Sequence, residues 1–163
     1  MLLAQIRNLY AYNNWAWDHV FGSLEKLPDE VYKAARPFFW ESLHGVTVHS
    51  MAAEAIWLAR IQGSSPAGMP SPADFTDFVA VKEHWLALRT DWGVFLHSLS
   101  TEELAREVVY RNTRGNGFTL PLVDILLHVA NHATEHRSQM TPVLYALGVG
   151  TEPLDYMRFC LRR

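Results

Sequence analysis

The stretch Ile125-Leu126-Leu127-His128-Val129-Ala130-Asn131-His132-Ala133-Thr134-Glu135-His136-Arg137-Ser138-Gln139-Met140 decides the fold class. Extended at both ends, it reads as one long helix beginning near Thr119 or Pro121 and ending at Gly148, with Pro142 expected to bend it. Its apolar seam is Leu122, Ile125, Val129, His132, His136, Met140, Val143 and Leu147, spaced three and four residues apart. Two imidazoles therefore stand where packing alone would place Leu or Ile, and a buried polar ring needs a partner. Residues four apart share a helical face about 6 Å apart in rise. Two such rings can converge on one cation with ~2.0–2.1 Å nitrogen–zinc bonds.

Outward from this helix, three more stretches carry the same periodicity. Ile6, Tyr10, Asn13, Trp17, Val20, Leu24 and Leu27 form the first, closed by Pro28. The second runs from Glu41 to Ile61 and stops at Gly63, before a Ser/Pro/Gly-rich loop. Val81, Trp85, Leu88, Trp92, Phe95 and Leu99 mark the third, entered through Ser71, Pro72 and Asp74. Ser100 and Glu103 form a capping-box pattern for one extra turn. Val108, Val109 and Tyr110, followed by Arg114-Gly115-Asn116-Gly117, predict a short hairpin or ordered loop. A terminal helix is expected after Pro153. The expected fold is all-α: a four-helix bundle in a single domain over 1–163, with a short extra helix or hairpin before the last long helix.

Composition narrows the function classes. Apolar and aromatic residues make up 49% of the 163 residues and charged ones 19%, the balance of a folded domain rather than a disordered chain. The net charge of −3 is spread without a basic stripe, which argues against nucleic acid. Arg158, Arg162 and Arg163 read as a solvated tail. No apolar run approaches a membrane span, and Met1–Ile6 is too short for a signal peptide. A cytoplasmic location is the expectation. Cys160 is the only cysteine, so no internal disulfide can form.

A third metal ligand should come from another helix. His128 and His136 lie about 12 Å apart along the axis, and three ligands in a line match tetrahedral geometry poorly. His128 is therefore read as a supporting or packing residue. The second helix offers His44 and His49. Gly45, Val46, Ala52, Ala53 and Ile56 flank His49 on a small apolar strip, whereas the neighbours of His44 are mixed, so His49 is favoured over His44. The rival reading is a histidine hydrogen-bond network in a structural bundle.

Other residues carry weaker signals. His132-Ala133-Thr134-Glu135-His136 matches the inverzincin pattern, with Glu135 as base, but only 27 residues follow His136, little room for a distant ligand and a peptidase chamber. Glu135 is read first as a solvated or supporting carboxylate. Tyr10, Asn14 and Asp18 are candidates for a substrate cleft, though helix packing explains them as well. The tryptophans Trp15, Trp17, Trp57, Trp85 and Trp92 read as core or interface, Glu102 and Glu103 as a helix start, and Cys160 as inert. His19, His44, His84 and His97 are assigned to surface or packing.

Three segments resemble the DinB/YfiT-like metalloprotein family. They are Leu9-Tyr10 with Asn13-Asn14-Trp15-Ala16; Val48-His49 with Trp57-Leu58; and Leu127-His128-Val129, Asn131-His132, Thr134 and His136-Arg137 with Gln139. With Leu147-Gly148 ending the helix, the resemblance covers nearly the whole chain. It departs at Glu135 and Ser138, beside the site. The resemblance implies a bundle holding a divalent metal, zinc or nickel, on His49, His132 and His136, often as a homodimer. It implies scattered activities, among them transfer of low-molecular-weight thiols. Three neutral imidazoles leave an open metal position for water or a thiolate. The expected function is a metal-dependent hydrolase or thiol S-transferase acting on a small-molecule substrate. The alternative is a non-catalytic metal-binding stress-response bundle acting through its dimer surface.

Overall fold

The computed structural model of the protein describes residues 1–37 and 40–162; Arg163, the end of the expected basic tail, lies outside the described residues. The described chain is mostly helical, with six α-helices and one two-stranded antiparallel sheet: α1 (Leu2–Leu24), α2 (Asp29–Lys33), α3 (Leu43–Ile61), α4 (Phe78–Ser98), β1 (Glu107–Arg111), β2 (Gly117–Pro121), α5 (Leu122–Ala146) and α6 (Tyr156–Leu161). The long helices pack in a ring, α1 against α4 and α5, and α3 against the same two. No helix among the described residues is long and apolar enough to cross a membrane.

The helical seams explain this packing. Ile6, Tyr10, Asn13, Trp17, Val20 and Leu24 of α1 are all buried, as are Val81, Trp85, Leu88 and Trp92 of α4. Trp17 and Trp85 meet at 4.5 Å between ring centroids and Phe21 lies 5.1 Å from Trp85, so aromatic area joins α1 to α4. Helix α3 is buried nearly all round, from Leu43 through Val46 and Met51 to Ile61. It is capped by the Ser42 hydroxyl, which accepts the Gly45 N–H at 2.9 Å.

Element boundaries differ from the expectation in three places. Ser71 and Asp74 do form a capping box, but it closes only one 3-10 turn (Pro72–Asp74). Asp77 caps α4 instead, accepting the Ala80 N–H at 2.9 Å. The five-residue α2 was not foreseen, although Pro28 followed by Asp29 and Glu30 is a start signal that suits the helix dipole. Helix α5 begins only at Leu122, because Thr119–Pro121 pair as β2 with β1, Pro121 opposite Glu107 and Phe118 opposite Tyr110. The box at Ser100 and Glu103 is present, with Ser100 N–H donating to Glu103 at 2.8 Å. At the C-terminus Arg158 and Arg162 are exposed, as expected of a solvated tail, and both pair at the surface with Glu152, Arg162 at 2.5 Å.

The seam of α5 also shifts. Leu122, Ile125, Val129, His136 and Met140 are buried as expected, but His132, Val143 and Leu147 are only partly so, and Ala133, Arg137 and Leu144 fill the core instead. A polar network accounts for the buried arginine. Arg137 donates to Asn13 Oδ1, and to Thr134 Oγ1 at 2.9 Å. Asn13 Nδ2 in turn donates to Glu54 Oε1 at 3.1 Å, while Trp85 Nε1 donates to Glu54 Oε2 at 2.8 Å. Burial pushes the Glu54 carboxyl above its ordinary range. The network thus ties α1, α3, α4 and α5 together at one level and fixes α3 against α5.

Candidate metal centre

Helices α3 and α5 bring three histidines to one point. One ligand atom from each of His49, His132 and His136 lies within 4.8 Å of the others, with His136 buried and the other two half-buried. His49 Nε2 is 3.3 Å from His132 Nε2, which is 3.0 Å from His136 Nε2. Two nitrogens bonded at ~2.0–2.1 Å to one ion sit about 3.3 Å apart in a tetrahedral arrangement and about 2.9 Å apart at a right angle. The His49–His132 and His132–His136 separations fall in that range.

Proton counting supports the same fit. His136 Nδ1–H donates to Gln139 Oε1 at 2.9 Å, one helical turn on, which leaves a lone pair on Nε2. His132 Nε2 takes part in both close contacts, so a single N–H there would have to serve two neighbouring lone pairs. One cation at the common point would satisfy all three nitrogens. Burial, followed by the repulsion of His136 and His132, lowers the His49 pKa to about 3. Burial, then His136 and His128, lowers that of His132 to about 4. Both rings are held neutral, the form that binds metal.

The remaining candidates fall outside the cluster. His44 points the other way, with Nε2 2.9 Å from the Pro72 carbonyl oxygen. It is the more buried of the two α3 histidines, so the small apolar strip beside His49 was not what separates them; direction is. His128 stacks edge-on against Trp57 at 5.3 Å and lies 5.6 Å from the His132 ring, a packing neighbour of the site. Glu135 is exposed, and among the described residues its carboxylate makes no hydrogen bond or ion pair with the three rings. Tyr10 and Asn14 do line a cleft between α1 and α4, of about 270 Å³. Asp18 is instead paired with Arg89 at 2.6 Å. Cys160 is free and half-exposed.

Two contributors were not foreseen. Gln139 was part of the quoted motif, and its position three residues after a ligand was the available signal. Trp40 stacks on His49, with ring centroids 3.7 Å apart and planes inclined by 16°; it lies before α3, where helical spacing says nothing about it.

Two comparisons with known proteins each find a match over nearly the whole chain. A sequence model described as DinB family matches residues 2–161. The chain is also similar to Protein DinB of Bacillus subtilis (strain 168), at 24% identity over 155 residues that cover 91% of this chain and 89% of the relative. All three histidines lie inside the matched span.

Proposed function

The chain belongs to the DinB family, and on that premise we propose that it is a metal-dependent enzyme whose ligands are His49, His132 and His136. The reading extends to a four-helix bundle in one domain, a zinc or nickel ion, a small-molecule substrate, and a homodimer in the cytoplasm. The observation that carries it is the gathering of three imidazoles from two helices, one ligand atom of each within 4.8 Å of the others, with His132 Nε2 3.3 Å from that of His49 and 3.0 Å from that of His136.

A divalent ion with three imidazole ligands would supply a Lewis acid with an open position, suited to activating water or a thiol. The chain's own residues prepare that position. Gln139 holds His136 in the tautomer that presents Nε2. Burial keeps His49 and His132 neutral. The Glu54–Asn13–Arg137 network holds the two ligand-bearing helices in register. Trp40 covers one face of His49.

Hydrolysis and thiol S-transfer are the two reactions this supports. A panel of small esters and amides, and of low-molecular-weight thiols with alkyl or epoxide electrophiles, tests them. Turnover with zinc or nickel that His49→Ala abolishes while the fold is retained supports the enzyme. Tight metal binding without turnover across the panel would instead favour a metal-binding bundle acting through its surface.

A further inference from the structure

The segment Trp40-Glu41-Ser42-Leu43-His44-Gly45 leads into α3 through a turn with an unusual backbone. Glu41 has φ +63°, the left-handed region that a residue with a Cβ rarely enters. The turn is pinned on each side. Ser42 N–H donates to the Trp40 carbonyl at 2.7 Å, and Arg36 N–H donates to the Glu41 carbonyl at 2.6 Å. The Ser42 hydroxyl accepts the Gly45 N–H.

Gly45 is the telling position. A Cβ there would overlap the Trp40 carbonyl oxygen and fall 3.2 Å from its carbon. Only glycine lets the Trp40 backbone lie this close to the first turn of α3. Position 49 is one helical turn further along the same face. The chain that rests its carbonyl over Gly45 therefore lays its indole over His49, nearly parallel at 3.7 Å between centroids.

We propose that Trp40 is a positioning residue for the metal centre, and that the left-handed turn and Gly45 serve to place it. The indole fixes the plane of the His49 imidazole. His49 is the ligand that needs this most: His136 is oriented by Gln139, whereas the His49 ring makes its polar contact with His132, another member of the cluster. Without the stack, the His49 ring would turn about its Cβ–Cγ bond and swing Nε2 off the common point. This inference rests on the metal reading above.

Zinc affinity of the untagged full chain, measured by competition with a chromophoric chelator, tests it, together with the visible spectrum of the cobalt(II)-loaded protein. Trp40→Ala should weaken zinc binding about tenfold or more, the range for residues that orient a ligand, and alter the cobalt bands. Trp40→Phe, which keeps a flat ring, should restore most of both. Gly45→Ala touches no ligand and introduces a better helix former, yet should weaken zinc as Trp40→Ala does. Gly22→Ala, where a Cβ meets nothing within 4 Å, should change nothing. Wild-type affinity and an unaltered cobalt spectrum in Trp40→Ala would overturn the proposal, and this variant decides alone if circular dichroism shows Gly45→Ala unfolded. A wild-type protein that binds neither zinc nor nickel would overturn the metal reading itself.

Discussion

Replacing Gln139 with leucine removes one hydrogen-bond acceptor and should loosen the metal without unfolding the protein. The Gln139 side chain is half-buried and accepts the His136 Nδ1–H at 2.9 Å. That bond selects the tautomer with a free lone pair on Nε2, 3.0 Å from its counterpart on His132. With leucine there, the buried Nδ1–H loses its partner, and a neutral bond of this kind contributes about 0.5–1.5 kcal/mol net, with about 1–3 kcal/mol at stake when a buried group is left unpaired. The competing tautomer, with its proton on Nε2, cannot bind and must be displaced. Together these place the loss at roughly 10–100-fold in metal affinity, about 1.4–2.7 kcal/mol. Chelator competition with zinc measures it directly. Gln139→Glu, whose carboxylate still accepts from Nδ1–H, should retain or exceed wild-type affinity. Equal zinc affinity in wild type and Gln139→Leu would refute the claim that this bond orients a ligand.

Three further outcomes are expected. Asn13→Ala strands Glu54 Oε1 and an Arg137 N–H in the helical core, so urea unfolding should show a loss of about 3 kcal/mol; a loss under about 0.5 kcal/mol would contradict the network's role. Metal-free protein should lose stability as pH falls. The folded pKa values of His49 and His132, about 3 and about 4, lie below the ordinary 6.5, so the unfolded chain binds more protons between about pH 6.5 and about pH 3, and stability present above that window is lost on descending through it. Melting temperatures at about pH 7 and about pH 5 should differ less in a His49→Gln, His132→Gln double variant; an unchanged difference would count against the shifts. His44→Gln should leave metal affinity intact, because its ring faces the Pro72 carbonyl; a large loss would reassign the third ligand.

Much of the site was legible because an α-helix converts spacing into direction. His132 and His136 are four apart on one helix, and the structure brings both to the common point. His49 was reached by weaker reasoning. Its small apolar neighbours are buried, but so are Thr47, Val48 and Met51 beside His44, since α3 is surrounded on nearly every side. Periodicity reports a buried face only when another face is wet. The same logic hid Glu54 and Arg137: hydrophobic patterning sends charged residues to solvent, and only partners from other helices make their burial tolerable. The hairpin was visible in Val108–Tyr110 and the glycine-flanked turn, whereas the exact start of α5 was not, because Thr119–Pro121 suit either a strand end or a helix entrance. Trp40 was beyond reach from spacing, since its contact with His49 depends on a non-glycine residue adopting positive φ.

The account stands on one cation being shared by imidazoles from α3 and α5, and X-ray absorption at the zinc edge of the loaded, untagged protein examines this most directly. It should show nitrogen or oxygen neighbours at ~2.0–2.1 Å with outer-shell scattering from three imidazoles, falling to two in His49→Ala. A sulfur neighbour, or a spectrum that His49→Ala leaves unchanged, would contradict it.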